Sequence, residues 1–239
     1  MKQYRGNISQ FQSMGTLDGP GLRYVVFMQG CTLHCAYCHN PETWSLQGDS
    51  YSVEEVMEKI LRCKSYIIKN GGVTVSGGEA LLQWEFVKEL FTRLRKEGIH
   101  TALDTSGIGE LNGEEELLEV TELVICDLKF NKKEDYKKYT KSDMGRVLEF
   151  LNLTQEKNVP LWIRHVVVPG ITDKTEYIRD IVKIAKNFKN LEKIELLPFR
   201  KLCIPKYESM GIEFLLANIK ECSPEKIKHL NEELRIVNN

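Results

Sequence analysis

At 239 residues with 42% apolar side chains, the chain is long enough to bury a sizeable core and has no need of disulfide staples. With 33 basic against 34 acidic residues its charges nearly cancel, which leaves no electrostatic footprint for nucleic acid or an anionic membrane surface. The stretch Met1-Lys2-Gln3-Tyr4-Arg5-Gly6 lacks the apolar segment of a signal peptide, and no apolar run approaches the ~20 residues of a spanning helix, so the expectation is a cytoplasmic protein that binds neither nucleic acid nor membrane.

Six short apolar runs alternate with six longer segments of helical period, the pattern of repeated βα units. The predicted strands are Tyr24–Met28, Val73–Val75, Thr101–Leu103, Leu123–Cys126, Leu161–Val168 and Lys193–Leu197. Several are near-continuous apolar runs, as in strands buried on both faces. After the first, Ser52 and Glu55 form a capping box ahead of an apolar stripe running from Val53 to Ile68. The second helix turns Leu82, Phe86, Val87, Leu90, Phe91 and Leu94 inward and stops near Gly98. A short third helix is expected at Glu114–Glu119, and a fourth in the Lys132–Lys157 region, broken near Gly145. Asp173 with Glu176 caps the fifth, and Ser223-Pro224 opens the sixth.

Six units are too few to close an eight-stranded barrel. The predicted fold is therefore α/β, a partial (βα)6 TIM-like barrel with a parallel sheet, open on one side, in a single domain over residues 1–239. In barrels the reactive groups gather at the carboxyl ends of the strands. Here Gln29-Gly30-Cys31, Ser76-Gly77-Gly78-Glu79, Asp104-Thr105, Asp127-Leu128-Lys129 and Pro198-Phe199-Arg200 all follow predicted strands.

Three of the seven cysteines, Cys31, Cys35 and Cys38, fall within eight residues. Three thiolates on one loop can bind three corners of a cubane iron–sulfur cluster, whose full protein ligation takes four, so one iron is left open for a small molecule. A zinc site completed by His34 or His39 is the competing arrangement, although structural zinc more often shows two ligand pairs at finger-like spacing. The remaining cysteines, Cys63, Cys126, Cys203 and Cys222, are scattered as ordinary side chains are.

Other residues carry chemistry with a plainer alternative beside it. Gly77-Gly78 lets backbone approach a ligand, or makes a tight turn. Asp127 and Lys129 share one side of a strand end, where they suit a zwitterionic ligand or form a weak surface pair. Arg164, inside an apolar run, needs an anionic partner, while His165 faces the other way as a core histidine would. Asp104 with Thr105 suits a ribose or a cation, or caps the next loop.

The C-x3-C-x2-C spacing, with Tyr37 before the last cysteine, resembles the radical S-adenosylmethionine enzymes. The resemblance implies a 4Fe-4S cluster whose open iron chelates S-adenosyl-L-methionine and cleaves it to a 5′-deoxyadenosyl radical. Gly15–Arg23, Cys38–Pro41, Ser76–Ala80, Asp104–Gly107, Asp127–Lys129 and Trp162–Gly170 then look like one group of that superfamily, the pyruvate formate-lyase activating enzymes, in order along nearly the whole chain. No cysteine-rich insert follows Cys38, whereas many other glycyl-radical activases carry one there. The resemblance implies a single radical S-adenosylmethionine core domain and an oxidoreductase of anaerobic glucose metabolism. Its activity would be to abstract a glycine Cα hydrogen and install the glycyl radical on pyruvate formate-lyase.

By the same resemblance Cys31, Cys35 and Cys38 are the iron ligands, and Tyr37, Cys38, His39, Gly78, Glu79, Asp127, Leu128, Lys129, Arg164 and Arg200 surround the cofactor. Asp104, Thr105, Asp127 and the carbonyl of Ile125 match positions that hold a monovalent cation. Asp18-Gly19-Pro20-Gly21 would line the entrance for the substrate's glycine loop, although its composition suits a plain turn equally. The implied partners are pyruvate formate-lyase as protein substrate and a flavodoxin or ferredoxin as electron donor, with the chain itself a monomer. One departure stands out: Arg200 occupies the place of a histidine in the group's pattern, and a guanidinium can hydrogen-bond but cannot deprotonate as imidazole does. Another glycyl-radical enzyme as target, or a metal-binding module without catalysis, are the alternatives that remain.

Overall fold

The computed structural model describes residues 3–109 and 113–238; Met1 and Lys2, at the head of the N-terminal stretch discussed above, lie outside them. One sheet of eight strands organises the chain: β1 (Arg5–Gly15), β2 (Arg23–Met28), β3 (Asp49–Ser52), β4 (Gly72–Gly77), β5 (Thr101–Thr105), β6 (Leu123–Asp127), β7 (Leu161–Val167) and β8 (Leu191–Pro198). Their order is β3-β1-β2-β4-β5-β6-β7-β8. From β2 to β8 every pairing is parallel, so the six predicted strands form an open partial barrel.

Two strands extend that core beyond the prediction. β1 pairs antiparallel with β2 on one side and with β3 on the other. Both escape a search for apolar runs, because β1 reads RGNISQFQSMG with most side chains half-buried or exposed. Pairing with the buried β2, more than its own hydrophobicity, makes this segment a strand.

The helices lie near their predicted places, with local differences that have physical causes. The Ser52–Glu55 capping box is formed, but the apolar stripe divides into Val53–Leu61 and Lys64–Ile67 around Cys63. Trp84–Lys96 is preceded by a 3-10 turn, Ala80–Gln83, in which Leu81 is buried and Leu82 only half so. The break in the 132–157 region falls at Lys141, which takes a left-handed φ of 59°, and not at Gly145. Asp143 then restarts the helix Met144–Glu156 by accepting the Gly145 N–H at 3.1 Å. Asp173 does not cap Thr175–Ala185; its carboxylate accepts from Gly170 N instead. Pro224 opens the last helix as expected. The helix Ile204–Met210 is an addition that packs beside the cysteine loop, with the Tyr207 hydroxyl 3.2 Å from the Cys38 carbonyl.

The main core lies between sheet and helices, where Val26, Val75, Leu103, Val124 and Ile163 are fully buried against Leu90, Val147 and Ile181. A second, small cluster of Ala102, Leu123 and Ile125 with Trp162 uses the alternate residues of β5 to β7 and so marks the other face of the sheet. Polar side chains on that second face, Thr74, Asp104 and Arg164, lead up to the carboxyl ends of the strands.

Candidate active site

The cysteine loop leaves β2 at Gly30, whose φ of 104° turns the chain. Gln29 holds the far end of the loop: its amide donates to the carbonyls of Glu42 at 2.9 Å and Ser45 at 2.7 Å. On the opposite flank Ala36 N donates to the Tyr139 carbonyl at 2.7 Å and His34 N to the Thr140 carbonyl at 3.3 Å. So fixed, Cys31, Cys35 and Cys38 line one cavity of about 440 Å³, and none is in a disulfide. Burial pushes the Cys31 thiol up to about 12 and the Cys35 thiol up to about 11. Binding a metal group here must therefore release protons. Cys63, Cys126, Cys203 and Cys222 do not line the cavity.

The Gly77-Gly78-Glu79 turn is stitched to this loop by backbone alone. Gly78 N donates to Met28 O at 2.9 Å and Glu79 N to Gly30 O at 2.8 Å. A Cβ on Gly78 would stand 2.2 Å from the Gly30 carbonyl oxygen, so only glycine permits the approach. Gly78 lines the cavity. The Glu79 carboxylate does not; it is wholly buried behind the wall, where it accepts from Leu81 N at 3.0 Å, Ser106 N at 2.9 Å and the Thr105 and Ser106 hydroxyls.

Charges gather around the same cavity. Lys129 Nζ lies 2.7 Å from Asp127 Oδ2 and 6.0 Å from the centre of the Tyr37 ring, and all three residues line the cavity. Burial opposes the Lys129 ammonium, but Asp127, Cys35 and Tyr37 together outweigh it and hold the group well above the ordinary lysine range. The Tyr37 hydroxyl is buried without a hydrogen-bond partner among the described residues. Asp104 and Thr105 also face the cavity, and Ser76 Oγ donates to Asp104 Oδ2 at 2.8 Å. Burial raises the Asp104 carboxyl to about 6; Arg164 and Ser76 oppose the rise and Asp127 adds to it.

Arg164, Leu128 and Ile125 stand outside the lining. The Arg164 guanidinium spans Glu195 at 2.9 Å and Asp104 at 3.4 Å, and it also donates to the Leu17 carbonyl. The anionic partner that its buried position demands is therefore twofold. Leu128 and Ile125 have fully buried side chains. Arg200 and His39 do reach the cavity, side by side: His39 Nε2 donates to the Arg200 carbonyl at 2.9 Å, while the Arg200 guanidinium donates to the Cys222 carbonyl at 2.8 Å. The Asp18–Gly21 loop lies lower, against the sheet, where Thr74 Oγ1 donates to the Asp18 carbonyl at 2.6 Å. Gly21 is obligatory there, since its φ is 69° and a Cβ would overlap the Asn70 carbonyl.

Ser76, Ser106 and Glu195 are among the polar residues of this region that sequence reasoning left without a role, as are Asn40 and Thr43 of the lining. The first two sit directly beside the Gly-Gly and Asp-Thr signals. Glu195 is recognisable only once the register pairs it with Arg164.

The donor set matches a cluster better than a single ion. Among the described residues no three His, Cys, Asp or Glu side chains converge as one metal ion requires. Three thiols from one loop, meeting an unpartnered Tyr37 hydroxyl and the Lys129–Asp127 pair around one cavity, match a group that takes one thiolate per iron and leaves one iron to a small ligand.

Comparison with known proteins agrees. A family described as 4Fe-4S single cluster domain matches residues 17–147. The pyruvate formate-lyase-activating enzyme of Clostridium pasteurianum is 45% identical over 232 residues, covering 96% of this chain and 97% of the relative. The pyruvate formate-lyase 1-activating enzyme of Escherichia coli strain K12 is 42% identical over 229 residues, covering 94% and 93%. Among solved structures, SuiB of Streptococcus suis bound to its precursor peptide SuiA superimposes with a TM-score of 0.68 at 14% identity, over 88% of this chain and 44% of that one, which shows the shared fold.

Proposed function

The chain belongs to the pyruvate formate-lyase-activating enzymes, and from that membership we propose how its residues divide the work. When bound, a 4Fe-4S cluster and S-adenosylmethionine supply one-electron cleavage of the sulfonium to a 5′-deoxyadenosyl radical, which takes a glycine Cα hydrogen and so installs the glycyl radical on pyruvate formate-lyase. Cys31, Cys35 and Cys38 hold the cluster with one thiolate each. Gly78 offers backbone to the cofactor at close range, and Lys129, Asp127, Tyr37, His39 and Arg200 bind its polar groups. Glu79, Leu128 and Arg164 act on the same site from behind the wall. Asp104, Thr105, Asp127 and the Ile125 carbonyl hold a monovalent cation; the raised Asp104 carboxyl supports this, because a nearby positive charge would relieve it. The Asp18–Gly21 loop lines the entrance for the substrate's glycine loop. The protein works in the cytoplasm as a monomer of one domain, in anaerobic glucose metabolism, and a flavodoxin or ferredoxin supplies its electron.

The observation that carries this reading is the meeting of three thiols, the Gly78 backbone and the Lys129–Asp127 pair on one cavity. Anaerobic reconstitution tests it. A reduced cluster should give an EPR signal that shifts on adding S-adenosylmethionine, and pyruvate formate-lyase should then acquire a glycyl-radical doublet. Cys31→Ala, Cys35→Ala and Cys38→Ala should each abolish cleavage, whereas Cys63→Ala should not. A second target is favoured by Arg200, which by the resemblance stands where the group's pattern has a histidine. A doublet on another glycyl-radical enzyme, with pyruvate formate-lyase silent, would establish it.

A further inference from the structure

The cysteine loop is bonded through its backbone to the end of one particular helix, Lys133–Thr140, and that helix carries an unusual surface. Lys132, Lys133, Lys137, Lys138 and Lys141 are all exposed, and none forms an ion pair among the described residues. Four lysines elsewhere, Lys64, Lys88, Lys157 and Lys206, are by contrast each paired with a glutamate. The acids within residues 132–143 are Glu134, Asp135 and Asp143, with Asp180 bonded to Asn131 beside them, and the segment itself carries five lysines against three acids in a chain whose total charge is −1. Its last turn is the most basic part, with Lys137, Lys138 and Lys141 together and exposed His34 beside them.

Backbone hydrogen bonds link this helix directly to the cysteine loop. The Tyr139 carbonyl accepts from Ala36 N at 2.7 Å, and Ala36 is the covalent neighbour of Cys35. One hydrogen bond and one peptide therefore join the lysine helix to a cluster ligand. The gap beside this link is filled with rings: Tyr139 stacks on Phe130 at 5.1 Å, and Phe130 meets Tyr37 at 6.1 Å. Lys138 Nζ stands 4.6 Å above Tyr139. The Asp18–Gly21 entrance belongs to a different part of the sheet, against β4 and β7, so a protein on the lysine helix would leave it clear.

We propose that the exposed face of Lys133–Thr140, with Lys141 and His34, is the docking surface for an acidic one-electron donor protein, which delivers its electron to the cluster through the Tyr139–Ala36 hydrogen bond. The inference rests on the functional reading above. The donor's own cofactor is oxidised by one electron, the cysteine-held cluster is reduced by one, and no bond forms or breaks. Long-range attraction between a basic patch and an acidic partner speeds encounter and orients it, and redox encounters of this kind need only a small interface.

The test compares the reconstituted wild-type protein with Lys137→Glu/Lys138→Glu/Lys141→Glu, using a purified acidic ferredoxin as the probe. Isothermal titration should show the Kd weakened by at least about tenfold, since like charges then face each other. Binding to the wild type should weaken steeply as salt is raised, and the variant should lose that dependence. S-adenosylmethionine cleavage driven by dithionite should run at the wild-type rate in the variant, which shows that fold and cluster are intact. A Lys→Gln triple variant provides a milder change should the charge reversal disturb the helix, and it should give an intermediate Kd. A wild-type protein that does not bind the ferredoxin, or a variant that binds it with unchanged Kd and salt dependence, overturns the docking surface. Absence of dithionite-driven cleavage in the wild type would count against the functional reading, and the titration is read separately from it.

Discussion

The carboxylate of Glu79 ties the end of β5 to the turn after β4, accepting from the Thr105 hydroxyl on one oxygen and from Ser106 N on the other. It is fully buried, and Leu81 N and Ser106 Oγ complete its four donors. Replacing it by alanine leaves those donors without a partner in a dry site. The expected cost in Glu79→Ala is about 3–5 kcal/mol of stability, read from urea unfolding of the cluster-free protein. Glu79→Gln should recover only part of this, because its amide NH₂ must face a donor. A loss under about 1 kcal/mol in the alanine variant would mean that the carboxylate does not organise the wall.

What the sequence made legible follows from how local each signal is. The strands β2 and β4 to β8 and the cysteine loop announce themselves within a few residues, by apolar runs and by the spacing of Cys31, Cys35 and Cys38. β1 stays hidden because Arg5–Gly15 is mostly polar and owes its conformation to β2. The need of Arg164 for an anion could be read from its apolar surroundings, but the identity of the anions could not. Asp104 lies 60 residues away and Glu195 lies 31 away, and only the parallel register from β5 to β8 brings them together. The same register places Arg164 behind the cavity wall, which no local pattern could indicate.

That placement separates two substitutions which sequence alone treats alike. Lys129 faces the cavity, so Lys129→Ala should weaken S-adenosylmethionine binding by about 1.5–3 kcal/mol in isothermal titration, the worth of a charge-assisted hydrogen bond. Arg164, with a side chain only 7% exposed, is committed to Asp104 and Glu195. Arg164→Ala should therefore appear first as lost stability, about 2–4 kcal/mol, because it leaves the half-buried carboxylates of Asp104 and Glu195 without their cation. Equal thermal midpoints for wild type and Arg164→Ala would contradict this division.

His165 should make stability depend on pH. Its ring is 1% exposed, Nδ1 donates to the Leu128 carbonyl at 2.8 Å, and Nε2 has no partner among the described residues. Burial lowers its pKa from 6.5 to about 4, with the Leu128 bond acting weakly the other way. Between those values the unfolded chain binds the proton and the folded chain does not, so stability rises with pH across that window. The contribution is complete above about 6.5, is lost as pH falls toward 4, and amounts to roughly 3 kcal/mol. The difference in unfolding free energy between wild type and His165→Gln, followed from pH 7 to pH 4, should fall by about that amount, whereas a constant difference would place the proton elsewhere.

The close approach of Gly78 to Gly30 gives the last prediction. Gly78 has no positive φ that would by itself demand glycine, so any effect of Gly78→Ala comes from space alone. Its Cβ would stand 2.2 Å from the Gly30 oxygen, 2.7 Å from the Gly30 carbon and 3.3 Å from the Cys31 Cβ. Gly30 cannot simply yield, because its N–H is bonded to Thr43 at 3.0 Å and its carbonyl to Glu79 N at 2.8 Å. The strain must pass to Cys31, the first thiol of the loop. Gly78→Ala should therefore fold, since the contact lies on a rim outside the main core, yet reconstitute with less iron and sulfide per chain and bind S-adenosylmethionine more weakly. Iron and sulfide analysis beside circular dichroism separates the two effects. Full cluster content with unchanged cofactor affinity would show that the two loops can part by an ångström without consequence, and that the backbone stitching from Gly30 to Glu79 does not set the position of the cysteine.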